Sequence, residues 1–213
     1  EKATVTSAAV AGNLEGNSAE REVFVILPPS YDARKERKRR YPVLYFLHGF
    51  TATAAKYMDY VKFDEAVQAF ATANDMIVVV PDSHTRMGGS FYASGQTVGD
   101  FENFIARDLV AWVDGKYRTI PSRDSRGLAG HSMGGYGTLR IGMKHPEVFS
   151  SLYAMSSCCL SARRGTAEDA KFEGVPLDAA MKADFFTLAY FATAVAFSPA
   201  LDKPPFYADF ITK

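Results

Sequence analysis

Gly130-His131-Ser132-Met133-Gly134-Gly135 follows the short apolar run Gly127-Leu128-Ala129 and precedes a helix-like run, Tyr136 to Lys144. A serine set between glycines at the join of a strand and a helix predicts a sharp turn that lifts the hydroxyl clear of the sheet. Glycines two residues before and two after Ser132 let strand and helix approach without a Cβ clash. The same turn aims the next amide, Met133 N–H, at the space in front of the hydroxyl. A candidate nucleophile and a candidate oxyanion donor therefore stand side by side. A five-residue pattern recurs by chance, so the flanking elements carry its weight.

Upstream, Tyr41-Pro42 introduces Val43-Leu44-Tyr45-Phe46-Leu47, a continuous apolar run that fits a strand covered on both faces. It stops at His48-Gly49-Phe50, where Gly49 lets the chain pass close to Ser132 and Phe50 N–H becomes the second candidate oxyanion donor. Phe63 to Ala73 has Phe63, Ala66, Val67 and Phe70 at helical spacing, and Met76 to Val80 is the next buried strand, closed by Pro81-Asp82. Asp100 to Tyr117 reads as a helix with Phe101, Phe104, Ile105, Leu109, Trp112 and Val113 toward the core, and Phe149 to Met155 as a further strand. At the N-terminus Ala3 to Ala11 and Arg21 to Leu27 flank a turn cluster, Gly12 to Asn17, and read as an antiparallel hairpin. The alternation predicts an α/β fold, a mostly parallel sheet with an N-terminal antiparallel hairpin and helices on both faces. Ser83 to Gly99 is rich in glycine and aromatics and lies where such sheets build their ligand crevice. After Ser156 the pattern changes. Ser161 to Gly174 is charged, Leu177 to Phe197 reads as one aromatic-rich helix, and Leu201 to Lys213 is irregular. Residues 1–213 form a single domain in this reading, with 161–213 a cap-like helical and irregular segment.

A chain of 213 residues, 47% hydrophobic, is long enough to bury one sizeable core. Acidic and basic side chains balance at 24 each, which argues against a nucleic-acid partner or an anionic membrane. The basic run Arg34 to Arg40 reads as a solvated loop. No apolar run approaches the ~20 residues of a membrane span. The adjacent Cys158 and Cys159 are expected as unbridged, buried thiols, because a ring closed between neighbours is strained. They offer no metal spacing, and neither metal nor cofactor is expected. The chain opens without Met on strand-like sequence, so a leader already removed is one expectation. Secretion or a periplasmic location would follow; a cytoplasmic location is the other expectation.

Leu47-His48-Gly49-Phe50, Val80-Pro81-Asp82, Gly89-Ser90-Phe91-Tyr92, Arg126 to Gly137 and His145-Pro146-Glu147-Val148-Phe149 occur in that order. The set resembles the esterase-D-like branch of the α/β-hydrolases, which includes S-formylglutathione hydrolases, feruloyl and acetyl-xylan esterases and mycolyltransferases. The resemblance covers Val23 to Ser157. It implies Ser132 as nucleophile, the Phe50 and Met133 amides as oxyanion hole, and Gly89 to Tyr92 near a small-molecule ester. Ser90, Phe91, Tyr92 and His131 are thus the candidate substrate contacts. The His131 side chain, one residue before the nucleophile, is itself expected to point away from Ser132 into packing.

The chain departs from this pattern downstream. A serine hydrolase needs a base to take the proton and an acid to orient the base, and in α/β-hydrolases these follow the serine in the order acid, then His. No His follows His145, and Asp169, Asp178, Asp184, Asp202 and Asp209 fall in helical or irregular sequence. His48 is expected to brace the oxyanion turn and His145 to cap a helix end; His84, in the crevice loop, is the one substitute base on offer, although its expected role is substrate contact or none. The expectation is a C-terminally incomplete family member whose last strands, acid and base are missing. Its activity would be impaired, and its open sheet edge would favour a homo-oligomer or a strand-exchanged dimer. The parent activity in this reading is carboxylic-ester hydrolysis through an acyl-enzyme. Acyl transfer on the same fold and a non-catalytic binding role are the alternatives. Phe91, Tyr92, Phe185, Phe186 and Tyr190 are candidate walls of an apolar acyl or aryl pocket.

Overall fold

The computed structural model describes residues 1–60, 63–161, 172 and 174–210. Strands β1 (Lys2–Thr6), β2 (Glu20–Ile26), β3 (Val43–Leu47), β4 (Ile77–Pro81), β5 (Arg126–His131) and β6 (Ser151–Met155) form one sheet in the order β1-β2-β4-β3-β5-β6. β1 pairs antiparallel with β2, and β2 antiparallel with β4; the other pairs are parallel. This is the mostly parallel sheet and N-terminal hairpin that the alternation predicts. The register decides where the site lies. Leu47 at the end of β3 pairs with Gly130 near the end of β5, so His48-Gly49-Phe50 and Ser132 leave the sheet beside each other.

The helices are α1 (Ala54–Asp59), α2 (Phe63–Asn74), α3 (Phe101–Asn103), α4 (Val110–Lys116), α5 (Met133–Lys144), α6 (Leu177–Met181) and α7 (Phe185–Phe197), with a π-helical stretch, Phe104–Leu109, joining α3 to α4. Their packing follows from the two-residue period of the strands. In β4, Ile77 and Val79 face one apolar core, shared with Phe104, Ile105, Leu109, Ile141 and Phe191. Val78 and Val80 face the other, shared with Ala54, Met58, Val67 and Ala71. Both faces of the sheet are thus covered, which is why β4 reads as an unbroken apolar run.

Two expectations change here. The span from Leu177 to Phe197 is two helices, because Asp184 accepts hydrogen bonds from Phe186 N–H and Thr187 N–H and starts α7 afresh. Ala180, Phe191, Ala192, Val195, Phe206 and Ala208 enter the same core as the strands. Most of the charged stretch from Ser161 to Gly174 lies outside the described residues. Cys158 and Cys159 form a disulfide with each other. Cys158 is half-buried and Cys159 exposed, since the chain turns outward after β6, with positive φ at Ser156 and Cys159.

β6 is an edge of the sheet, and its Leu152 and Tyr153 are exposed. Beside it runs an apolar groove of about 350 Å³, lined by Leu44, Phe46, Phe63, Val67, Phe70 and Tyr153 among others. Phe70 lines this groove and stays 44% exposed. None of the helices among the described residues is long and apolar enough to cross a membrane.

The β2–β4 contact carries a buried ion pair. Arg21 Nη2 lies 2.6 Å from Asp82 Oδ2 and also donates to the His84 carbonyl, while Asp82 Oδ1 accepts Ala54 N–H. The guanidinium sits over the Phe101 ring and is only 6% exposed. Breaking a buried pair by removing one partner strands the other charge. Arg21→Met is therefore expected to lower unfolding free energy by about 3–5 kcal/mol. Urea titration followed by circular dichroism measures it, and a loss under about 1 kcal/mol, the range of exposed pairs, would show that water takes over the role of Arg21.

Candidate active site

Ser132 joins β5 to α5 with φ 56° and ψ −115°, a sparsely populated conformation for a residue with a side chain. Three backbone bonds over-determine it. Ser132 N–H donates to the Met155 carbonyl (3.0 Å), and the Ser132 carbonyl accepts Tyr136 N–H (3.0 Å) and Cys158 N–H (3.2 Å). The flanking glycines are required by close approach. A Cβ at Gly130 would lie 2.3 Å from the Gly134 carbonyl oxygen, and one at Gly134 only 1.9 Å from the Leu47 carbonyl oxygen. β3, β5 and α5 therefore touch backbone to backbone beneath the serine. Met133 N–H belongs to the first turn of α5, where amides have no partner inside the helix.

The turn after β3 is equally fixed. A Cβ at Gly49 would lie 3.6 Å from Ser132 Cβ, so this loop passes directly beside the serine. Thr51, at φ 62°, donates its N–H to the Gly88 carbonyl at 2.8 Å. The Phe50 ring stacks on Phe91 and meets Phe185 edge-on, each at 5.5 Å between centroids. Among the described residues, no hydrogen bond occupies Phe50 N–H or the Ser132 hydroxyl. The Ser132 hydroxyl and the Phe50 amide thus lie unengaged on segments that pass each other at Gly49.

The loop after β4 packs inward at its centre. Ser90, Phe91 and Tyr92 are buried and do not line an open surface. Ser90 Oγ accepts Tyr92 N–H, and the Tyr92 hydroxyl donates to the His48 carbonyl at 3.0 Å. Positive φ at Phe91 and Tyr92 folds the loop back under the site. These residues pack behind the turn after β3. His131, expected in packing, is instead exposed, its ring 6.4 Å from that of Tyr57. Phe185 is exposed beside Phe50 and Phe186 is exposed against Phe185, whereas Tyr190 packs on Phe172 and Phe210.

No histidine is paired with Ser132 among the described residues. His48 is fully buried with both ring nitrogens engaged, and burial, offset in part by Asp82, pushes its pKa down. His84 Nδ1 lies 3.1 Å from the Ala52 carbonyl. His145 sits at the far end of α5, about 18 Å along a helix of this length, and its Nε2 is 3.3 Å from Glu102 Oε1. His131 immediately precedes Ser132 at the end of β5; a Cβ at Gly49 would lie 3.8 Å from His131 Nδ1 and 3.6 Å from Ser132 Cβ, and no hydrogen bond joins the two residues. The contribution of Arg21 and Asp82 to holding the loops around His48 was not read from the sequence, where Arg21 stands among the charged residues that open β2.

Sheet order, elbow and oxyanion turn together define an α/β-hydrolase. The chain belongs to the esterase family: the family described as "Putative esterase" matches residues 17–202. Esterase Rv1288 of Mycobacterium tuberculosis is 31% identical over 131 residues, 61% of this chain and 27% of that protein. A solved ferulic acid esterase is 30% identical with a TM-score of 0.59, covering 74% of this chain and 59% of the other. S-formylglutathione hydrolase FrmB of Staphylococcus aureus shares the fold at 19% identity and TM-score 0.58, covering 91% of this chain and 73% of its own. The chain thus spans about a quarter of the curated relative and well under two thirds of the ferulic acid esterase.

Proposed function

We propose that this chain carries the nucleophile and oxyanion hole of a serine carboxylic-ester hydrolase. Ser132 Oγ attacks the ester carbonyl, Phe50 N–H and Met133 N–H hold the oxyanion, the alcohol leaves, and water releases the acid from the acyl-enzyme. The observation that carries this reading is the strained Ser132 beside two unspent amides. The exposed aromatic edge of Phe185 and Phe186 next to Phe50 favours an apolar acyl or aryl group on the acid side. The 30%-identical ferulic acid esterase supports an aromatic ester. Among the described residues none of the four histidines is hydrogen-bonded to Ser132. The oxyanion hole and binding alone leave about 10³–10⁴-fold catalysis over water, so the chain is a slow esterase by itself.

Incubation with p-nitrophenyl acetate and p-nitrophenyl esters of longer and aromatic acids, followed by intact-mass and peptide analysis, tests this. The expected result is a slowly formed acyl adduct on the peptide containing Ser132, released by water faster than by added sugar or alcohol acceptors. Preferential release to the acceptor would make the protein an acyltransferase. No adduct with any ester would sink the esterase reading.

A further inference from the structure

We propose that His48 is a positioning residue whose buried imidazole clamps the Gly49–Phe50 peptide so that Phe50 N–H is presented to the oxyanion site. The inference rests on the reading of Ser132 as nucleophile and Phe50 N–H as oxyanion donor. Its basis is that one peptide unit carries both groups concerned. His48 Nδ1 lies 2.9 Å from the Gly49 carbonyl oxygen. That oxygen belongs to the same planar trans unit as Phe50 N–H, and in such a unit the C=O and N–H point in opposite directions. Fixing the oxygen inward on a fully buried ring directs the amide hydrogen outward, to the side where Gly49 passes Ser132.

The hydrogen bonds also assign the proton. His48 Nε2 accepts Ser83 N–H at 2.8 Å, so it carries no hydrogen. Nδ1 faces a carbonyl, which can only accept, so the proton is there. The nearest acid, Asp82 Oδ1, is 3.6 Å from Nε2 and already accepts Ala54 N–H. Burial pushes the His48 pKa down and keeps the ring neutral. The ring is therefore a fixed, uncharged donor on one side and acceptor on the other. It ties the loop after β3 to the loop after β4. The Tyr92 hydroxyl holds the preceding carbonyl, that of His48, and Gly88 holds the following amide, that of Thr51. Phe50 N–H is the group this framework leaves free.

The test uses the intact chain, a fluorophosphonate probe for Ser132, and three variants. Asparagine places a donor where Nδ1 stands, glutamine reaches the Nε2 position, and alanine supplies neither. The labelling rate per folded molecule is expected to fall by about 10²-fold in His48→Ala and His48→Gln, the scale of losing one oxyanion donor. His48→Asn recovers most of it. The Phe50 amide resonance moves in the alanine variant and returns toward its wild-type position with asparagine, and imidazole nitrogen shifts report the Nδ1–H form in the wild type. Equal labelling in all four proteins, with only melting temperature reduced, would overturn the inference and leave His48 as packing. If the wild type is not labelled at all, the nucleophile reading fails separately. The clamp is then judged by the Phe50 resonance and the tautomer alone, and an Nε2–H ring or an unmoved Phe50 amide overturns it. Should the alanine variant not fold, the asparagine–glutamine pair gives the same comparison.

Discussion

Gly134→Ala is expected to prevent stable folding. The added Cβ would stand 1.9 Å from the Leu47 carbonyl oxygen, 2.5 Å from its carbon and 2.9 Å from the His48 carbonyl oxygen. All three are backbone atoms, so no side-chain rotation relieves the overlap. Either α5 lifts off the sheet or the end of β3 moves, and both movements break the contacts that place Ser132 beside Gly49. The cost belongs with the exceptional single substitutions, above about 4–5 kcal/mol, against a total stability of about 5–15 kcal/mol for a domain. Gly115→Ala is the matched comparison. Gly115 is exposed within α4 and its added Cβ would meet nothing within 4 Å. There the helix gains about 0.5–1 kcal/mol from reduced backbone freedom in the unfolded chain. Denaturant melts of the two variants beside the parent should move in opposite directions. A Gly134→Ala protein with parental stability would mean that helix and strand are not in contact as described.

Ser132→Ala is expected to abolish covalent capture by a fluorophosphonate while leaving the fold intact. The probe reacts at a nucleophile that faces an oxyanion hole, and the Ser132 hydroxyl is the one candidate that the structure sets beside two unoccupied amides. The exchange removes a single oxygen from a side chain with no described hydrogen bond, so the melting temperature should stay within a few degrees. Residual labelling at parental rate would place the reactive nucleophile elsewhere. Loss of both labelling and fold would make the variant uninformative about chemistry, and Ser132→Cys, which keeps a nucleophile in the same turn, then distinguishes the two outcomes.

Much of this architecture could be read from residue order. The unbroken apolar runs of β3 and β4 signalled strands covered on both faces, and each helix that covers them had its own apolar spacing. The two turns that frame Ser132 carried glycine where backbones nearly touch. What could not be read was which way loops fold after they leave the sheet. Ser90, Phe91 and Tyr92 have the composition of an open crevice, yet positive φ at two of them turns the segment inward. That choice depends on the Tyr92 hydroxyl reaching the His48 carbonyl, a contact across 44 residues. The break between α6 and α7 was hidden because apolar residues continue on both sides of Asp184, although an aspartate at that point is a competent helix cap. The bond between Cys158 and Cys159 follows from a turn after β6 that adjacent cysteines do not announce.

The three backbone bonds around Ser132 join it to β6 and the segment after it, not only to its own helix. Among the described residues β6 is an edge strand with one hydrogen-bonded neighbour, β5, and exposed side chains. Edge elements with little cover open first in native-state fluctuations. When β6 opens, the Met155 carbonyl and Cys158 amide release Ser132, and nothing on that side holds its unfavourable φ. Nucleophile geometry and edge-strand docking are therefore a single cooperative opening unit. In hydrogen–deuterium exchange the amides of Ser132, Cys158 and the β5-facing positions of β6 should exchange with one common free energy, and any added polypeptide that covers β6 should protect the serine turn without touching it.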